Sequence, residues 1–238
     1  MIDRYDWDGG QEAMLRFGPD TGPVMVAALP LLEEANRTRS FVVGLLRALA
    51  SRGIASVLPD IPGQGESLLP TGTLTILRMA EALQAVTDRF HAEGRRTYAL
   101  GVRSGALLDY CALHDGRWHL SPVDGHQVLR DLHRTWLAGH DRPPHARDLT
   151  AMMVGDDDPA EIAGNLLTSD FLSSLSAATP FDQPGSPRRV VRLASDPRPA
   201  DRTIDAAPLW RRSEPGDDPV LAAVLADDIA DWLRVCEG

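Results

Sequence analysis

The chain has 238 residues, is 43% hydrophobic and carries a formal net charge of −10. That acidity argues against a nucleic-acid binder, because phosphate neutralisation supplies most of such affinity. No apolar run approaches the roughly 18 residues of a membrane-spanning helix, and "MIDRYDWDGG" lacks the basic-then-apolar pattern of a signal peptide. Cys111 and Cys236 form no paired motif, so a reduced, cytoplasmic protein without a metal or other cofactor is expected. Every basic residue is arginine.

In chain order, "EAMLRF" (12–17) reads as an edge strand and "VMVAAL" (24–29) as a strand buried on both faces. Apolar residues at helical spacing over 39–52 stop at Gly53. A second buried strand covers 54–60, followed by the loop "IPGQGES", a helix over about 73–92 and a third strand over 97–102. "SGALLDYCALH" is expected to open the next helix. This alternation predicts an α/β class with a mostly parallel, doubly wound sheet.

The rhythm breaks after 118–123. Residues 125 to about 180 read as helical with no clear strand, and with polar loops at "GHDRPPHARD" and "VGDDDPAEIAG". They form an expected helical lid over 124–182, inserted between core parts 1–123 and 183–238. Strand pattern resumes at 188–195, with a possible strand at 208–214 and an amphipathic helix over 220–235.

In such a sheet, ligands bind at the carboxyl ends of the strands. The third strand ends in "GVRSGA" (101–106), which has the glycine spacing of the G-x-S-x-G turn that presents a serine nucleophile. The residue midway between Gly101 and Gly105 is Arg103; Ser104 lies one place late. Centring the turn on Ser104 would put Val102 and Ala106 where the glycines belong, so the spacing assigns the tip to Arg103. A guanidinium neither attacks nor acts as a base at neutral pH. It is suited to holding a carboxylate or phosphate, or to a structural ion pair with Glu33 and Glu34.

A Ser-His-Asp enzyme of this type has chain order serine, acid, histidine. The acid candidates are Asp196 and Asp124, but no histidine follows His145, and the late loop "WRRSEPGDDP" contains none. His126, His133 and His140 repeat every seven residues, which spaces them too far along a helix to share one metal. "GDDDP" (155–159) has too few spaced oxygens for a calcium loop.

Taken together, the loop after the first buried strand, the arginine elbow and the lid resemble the second of two hydrolase-like families associated with the exosortase A system, within the α/β-hydrolase superfamily. The resemblance rests on Pro30, Glu33, Glu34, Asn36 and Arg39, on Gly101–Ala106, and on the strings "SPVDGHQVLRD", "AEIAGNLLTSDF" and "PLWRRSEPGDDPVL". It implies an α/β-hydrolase fold and a role in a bacterial exopolysaccharide locus. It also implies an anionic acyl or saccharide-linked ligand, and a companion hydrolase-like protein or a second copy as partner.

The resulting candidates are Arg103, Ser104 and Asp196 as catalytic residues, with Leu31, Glu33, Glu34, Asn36 and Arg39 binding ligand. A protein whose serine chemistry is lost is the first expectation. The alternatives are an esterase or thioesterase using Ser104, with Asp196 or Asp124 and a lid histidine, and a non-catalytic subunit that stabilises its companion.

Overall fold

The computed structural model describes residues 1–138, 159–162 and 164–238. The strands are β1 (Ile2–Trp7), β2 (Gly10–Phe17), β3 (Val24–Ala28), β4 (Ala55–Pro59), β5 (Thr97–Val102), β6 (Gly116–Leu120), β7 (Ala160–Ile162), β8 (Asn165–Leu167), β9 (Arg188–Leu193) and β10 (Arg202–Ile204). The helices are α1 (Glu33–Ala50), α2 (Ile76–Ala92), α3 (Gly125–Ala138), α4 (Ser169–Ala177) and α5 (Pro219–Glu237).

Every residue of β3, β4, β5 and β6 is buried, as strands covered on both faces must be. They lie inside an eight-stranded sheet of order β1-β2-β4-β3-β5-β6-β9-β10. The β1–β2 and β2–β4 pairs are antiparallel and all the others parallel. On one face, α1 and α5 bury Phe41, Leu45, Leu225 and Ile229 against Met25, Leu100, Trp118 and Val191. On the other, α2, α3 and α4 bury Met79, Leu83, Leu132, Phe171 and Leu175 with Val24, Val26 and Val57.

Local chemistry fixes where the helices start. Thr75, Thr168 and Asp218 accept the N–H of Arg78, Phe171 and Leu221, and Pro219 opens α5, as helix N-termini favour. Asp228 on α5 ties the far end of the sheet together. It accepts Trp118 Nε1 at 2.9 Å, Arg189 at 2.8 and 2.7 Å, and Arg202 at 2.7 Å. Burial opposes the charge, but these donors outweigh it and hold the carboxyl down at about 2.

Several expectations are corrected. The stretch 12–17 is not an edge, since β2 lies between β1 and β4; the acidic β1, with alternate residues exposed, hides its strand character. The first helix begins at Glu33, before the apolar spacing becomes regular. "SGALLDYCALH" makes only a 3-10 turn, Arg103–Leu107. Leu107, Leu108 and Asp109 are all buried in succession, which no single helix face permits, and Asp109 meets His119 at 2.7 Å.

The inserted segment does contain strands. β7 and β8 pair antiparallel around Gly164 at φ 76°, too short for an alternating signal. The polar loop at 139–148 lies outside the described residues, as do His140, His145 and residues 154–158 and 163 of the loop at 154–164, whose Ala160–Ile162 form β7. Residues 208–214 hold a 3-10 turn, Leu209–Arg211, and the last strand is instead β10. Among the described residues, no helix is long and apolar enough to cross a membrane, and no group of three His, Cys, Asp or Glu is placed to hold a metal.

Candidate functional site

The chain leaves β5 and turns sharply at Arg103, whose φ is +55°. Two glycines make that turn possible. A Cβ on Gly105 would lie 2.3 Å from the Ala28 carbonyl oxygen and 2.5 Å from that of Leu29, and one on Gly101 would lie 2.7 Å from Ala106 Cα. The residue between them therefore occupies the tip in the left-handed conformation that non-glycine residues rarely adopt. Arg103 is that residue. Leu32 (φ 60°) after β3 and Ser121 (φ 46°) after β6 are the other two non-glycine residues with positive φ among those described. All three follow the carboxyl ends of neighbouring central strands, where strain is retained only if the surroundings enforce it.

Three neighbours hold the Arg103 side chain. Its Nε and Nη2 donate to Glu34 Oε2 and Oε1 at 3.2 and 3.1 Å, a two-point pair. Asp131 on α3 lies 4.0 Å from Nη2. The guanidinium also stacks over the ring of Trp210, 4.8 Å from its centroid. Trp210 follows β10, in the late loop where the sequence order would call for a histidine.

Ser104 has a different environment. It is 1% exposed, and its Oγ accepts the backbone N–H of Leu31 at 2.9 Å. The next amide, Leu32 N–H, donates to Gln64 Oε1 at 3.0 Å. In an acyl-transfer enzyme of this architecture, an amide of this loop and that of the residue after the nucleophile face the developing oxyanion. Here side chains of the same chain take both loop amides.

Asp196 lies in the turn after β9. Its carboxylate accepts Arg192 Nη1 at 2.8 Å and Arg198 Nη2 at 2.7 Å. Burial pushes its pKa up, but the two guanidinia and the Arg198 backbone N–H win and hold it well below the usual carboxylate range. Asp124 accepts the N–H of Gln127 at the start of α3. Neither meets a histidine among the described residues. His126 is exposed and His133 stacks on Trp136 with ring centroids 6.1 Å apart.

An open cleft of about 1000 Å³ lies at this end of the sheet, lined by Glu34, Arg37, Arg103, Asp131, Asp196 and Trp210 among others. Beneath it, a smaller cavity of about 70 Å³ reaches Leu31, Glu33 and Ser104. Among the described residues, no histidine lines either. Of the candidate ligand-binding residues, Leu31, Glu33 and Glu34 thus gather beside Arg103. Asn36 and Arg39 do not. They line a separate crevice of about 20 Å³ against 59–65, where Arg39 Nη1 donates to Asp60 at 2.7 Å. Positions 33, 34, 36 and 39 share a helix but not a face, which separates them. Sequence spacing did not reveal Trp210, Asp131 or Gln64, which come from distant segments.

No protein-family model matches the sequence, and neither does any curated protein. Solved structures do. An esterase from Butyrivibrio proteoclasticus with bound ferulic acid aligns with a TM-score of 0.63 at 14% identity, covering 98% of this chain and 99% of that one. A putative hydrolase from Agrobacterium vitis gives 0.58 at 15% identity, covering 98% and 97%. A lidless α/β serine hydrolase from Xanthomonas campestris gives 0.56 at 14% identity, covering 98% and 93%. With eight strands in this order and an elbow between Gly101 and Gly105, the chain has the α/β-hydrolase fold.

Proposed function

We propose that this chain uses the α/β-hydrolase fold to bind an anionic ligand at Arg103, and that it carries out no serine-triad hydrolysis. The observation that supports this most is the guanidinium at the strained elbow tip, stacked on Trp210 where a serine and a histidine would otherwise meet. Fold alone assigns no chemistry, so the reading rests on the side chains.

In the free protein, the Glu34 carboxylate fills the guanidinium fork that a ligand carboxylate or phosphate would take. Binding therefore exchanges one carboxylate for another anion. Trp210 keeps the guanidinium plane fixed during the exchange, and Asp131 limits how far it swings. Glu34, released, keeps access to solvent at the mouth of the cleft. Ser104 serves the framework by satisfying the Leu31 amide. From the start of the inserted segment, α3 contributes Asp131 to the cleft.

The finer reading, an acyl or saccharide-linked anion in a bacterial exopolysaccharide setting, rests on the sequence resemblance and is proposed on that basis. Calorimetric titration with inorganic phosphate tests the binding site. The wild type should bind and Arg103→Ala should not, with both proteins giving the same circular dichroism spectrum. Equal affinity in the two would refute the assignment.

A further inference from the structure

Resting on the anion-binding reading of Arg103, we infer that the ligand of this cleft carries at least two separate anionic groups. Five of the described arginines line the cleft, and each comes from a different part of the chain: Arg37 from α1, Arg103 from the elbow, Arg134 from α3, Arg198 from the turn after β9 and Arg211 from the loop after β10. Among the described residues, three carboxylates share the lining, Glu34, Asp131 and Asp196. This cationic mouth belongs to a chain whose net charge is −10.

Each of these carboxylates is already engaged by at least one arginine, and Asp196 also holds Arg192 at 2.8 Å. Glu34 takes Arg103 at 3.1 Å, Asp131 takes Arg134 at 3.1 Å, and Asp196 takes Arg198 at 2.7 Å. Arg37 and Arg211 have no carboxylate partner among the described residues. Arg37 spends one N–H on the Trp210 carbonyl at 3.2 Å, and Arg211 is exposed. Trp210 therefore stands between the two kinds of arginine, with Arg103 on its ring and Arg37 on its backbone.

A single carboxylate or phosphate group fills one guanidinium fork. A ligand with one such group would displace Glu34 from Arg103 and leave Arg37 and Arg211 uncompensated. A second anionic group, joined to the first across Trp210, neutralises them. Diphosphates and dicarboxylates both have this chemistry, and the cleft is large enough for the organic part of either.

The test compares two probe pairs by calorimetry at matched ionic strength: pyrophosphate with inorganic phosphate, and glutarate with acetate. At least one double anion should bind tighter than its single counterpart by about tenfold or more, as expected for an added charge-assisted contact. The double substitution Arg37→Ala and Arg211→Ala should abolish that preference and leave binding of the single anion intact. Circular dichroism checks that the variant folds; should it not, Arg211→Ala alone, at an exposed residue, must weaken the preference. The pair that shows the preference identifies the source, phosphate or carboxylate. If single anions bind through Arg103 with no preference for the doubled probe, this inference fails while the anion-binding reading stands. A preference that survives the double substitution also overturns it. If no probe binds at millimolar concentration, both fail.

Discussion

Replacing Ser104 by alanine removes one oxygen atom and leaves the Leu31 N–H, which it accepts at 2.9 Å, without a partner in a site 1% exposed. A neutral hydrogen bond contributes about 1 kcal/mol net, and a buried donor left unpaired costs roughly 1–3 kcal/mol. The expected loss is therefore about 1–2 kcal/mol. For a domain of this length each kilocalorie lowers Tm by about 2–4 °C, so Ser104→Ala should melt about 2–8 °C below wild type. Calorimetric melts of the two proteins measure this, with a phosphate titration alongside. Phosphate affinity should not change, because Ser104 Oγ faces the Leu31 amide rather than the Arg103 guanidinium. An unchanged Tm, or a lost ester-hydrolysis activity, would refute the framework role of this serine.

Glu34→Gln removes the carboxylate that competes for Arg103 and should tighten phosphate binding about tenfold, read by the same titration. Gly105→Ala places a Cβ 2.3 Å from the Ala28 carbonyl oxygen, so the strand or the turn must shift; a loss of at least about 3 kcal/mol in urea unfolding is expected. Asp228→Asn leaves Arg189 and Arg202 without their shared counter-charge. Because both guanidinia keep partial solvent contact, the cost is about 2–3 kcal/mol rather than the 3–5 kcal/mol of a fully buried pair. Burial holds His114 down to about 3, against 6.5 in the unfolded chain. The unfolded state therefore binds the extra proton between these values, and stability falls as pH drops through that window by up to about 1.4 kcal/mol per pH unit. Urea midpoints at pH 7 and pH 5 should differ less in His114→Gln than in wild type.

The sheet was legible because its central strands are continuous apolar runs, "VMVAAL" and "TYALGV" being the clearest, set between helical periods. The elbow was legible for a stricter reason: only glycine fits at 101 and 105, so spacing alone placed Arg103 at the tip. The segment after it misled, because "SGALLDYCALH" has the composition of a helix. Asp109 of that segment meets His119 at 2.7 Å, a contact between residues that sequence periodicity does not relate. The Trp210 stack over Arg103 spans more than a hundred residues, and no local pattern encodes it. The loop "LPLLEEANRTR" gave the right neighbours in part. Glu34 faces Arg103, whereas Asn36 and Arg39 turn to the opposite side of the same helix.

The proposed loss of serine chemistry is tested most directly by exposing the wild-type protein and Ser104→Ala to a fluorophosphonate probe, with an active serine esterase as positive control, and weighing the intact chains. The account predicts no adduct on either protein while the control is labelled. An adduct on the wild type that Ser104→Ala abolishes would contradict it, and would make the serine beside the elbow tip the nucleophile.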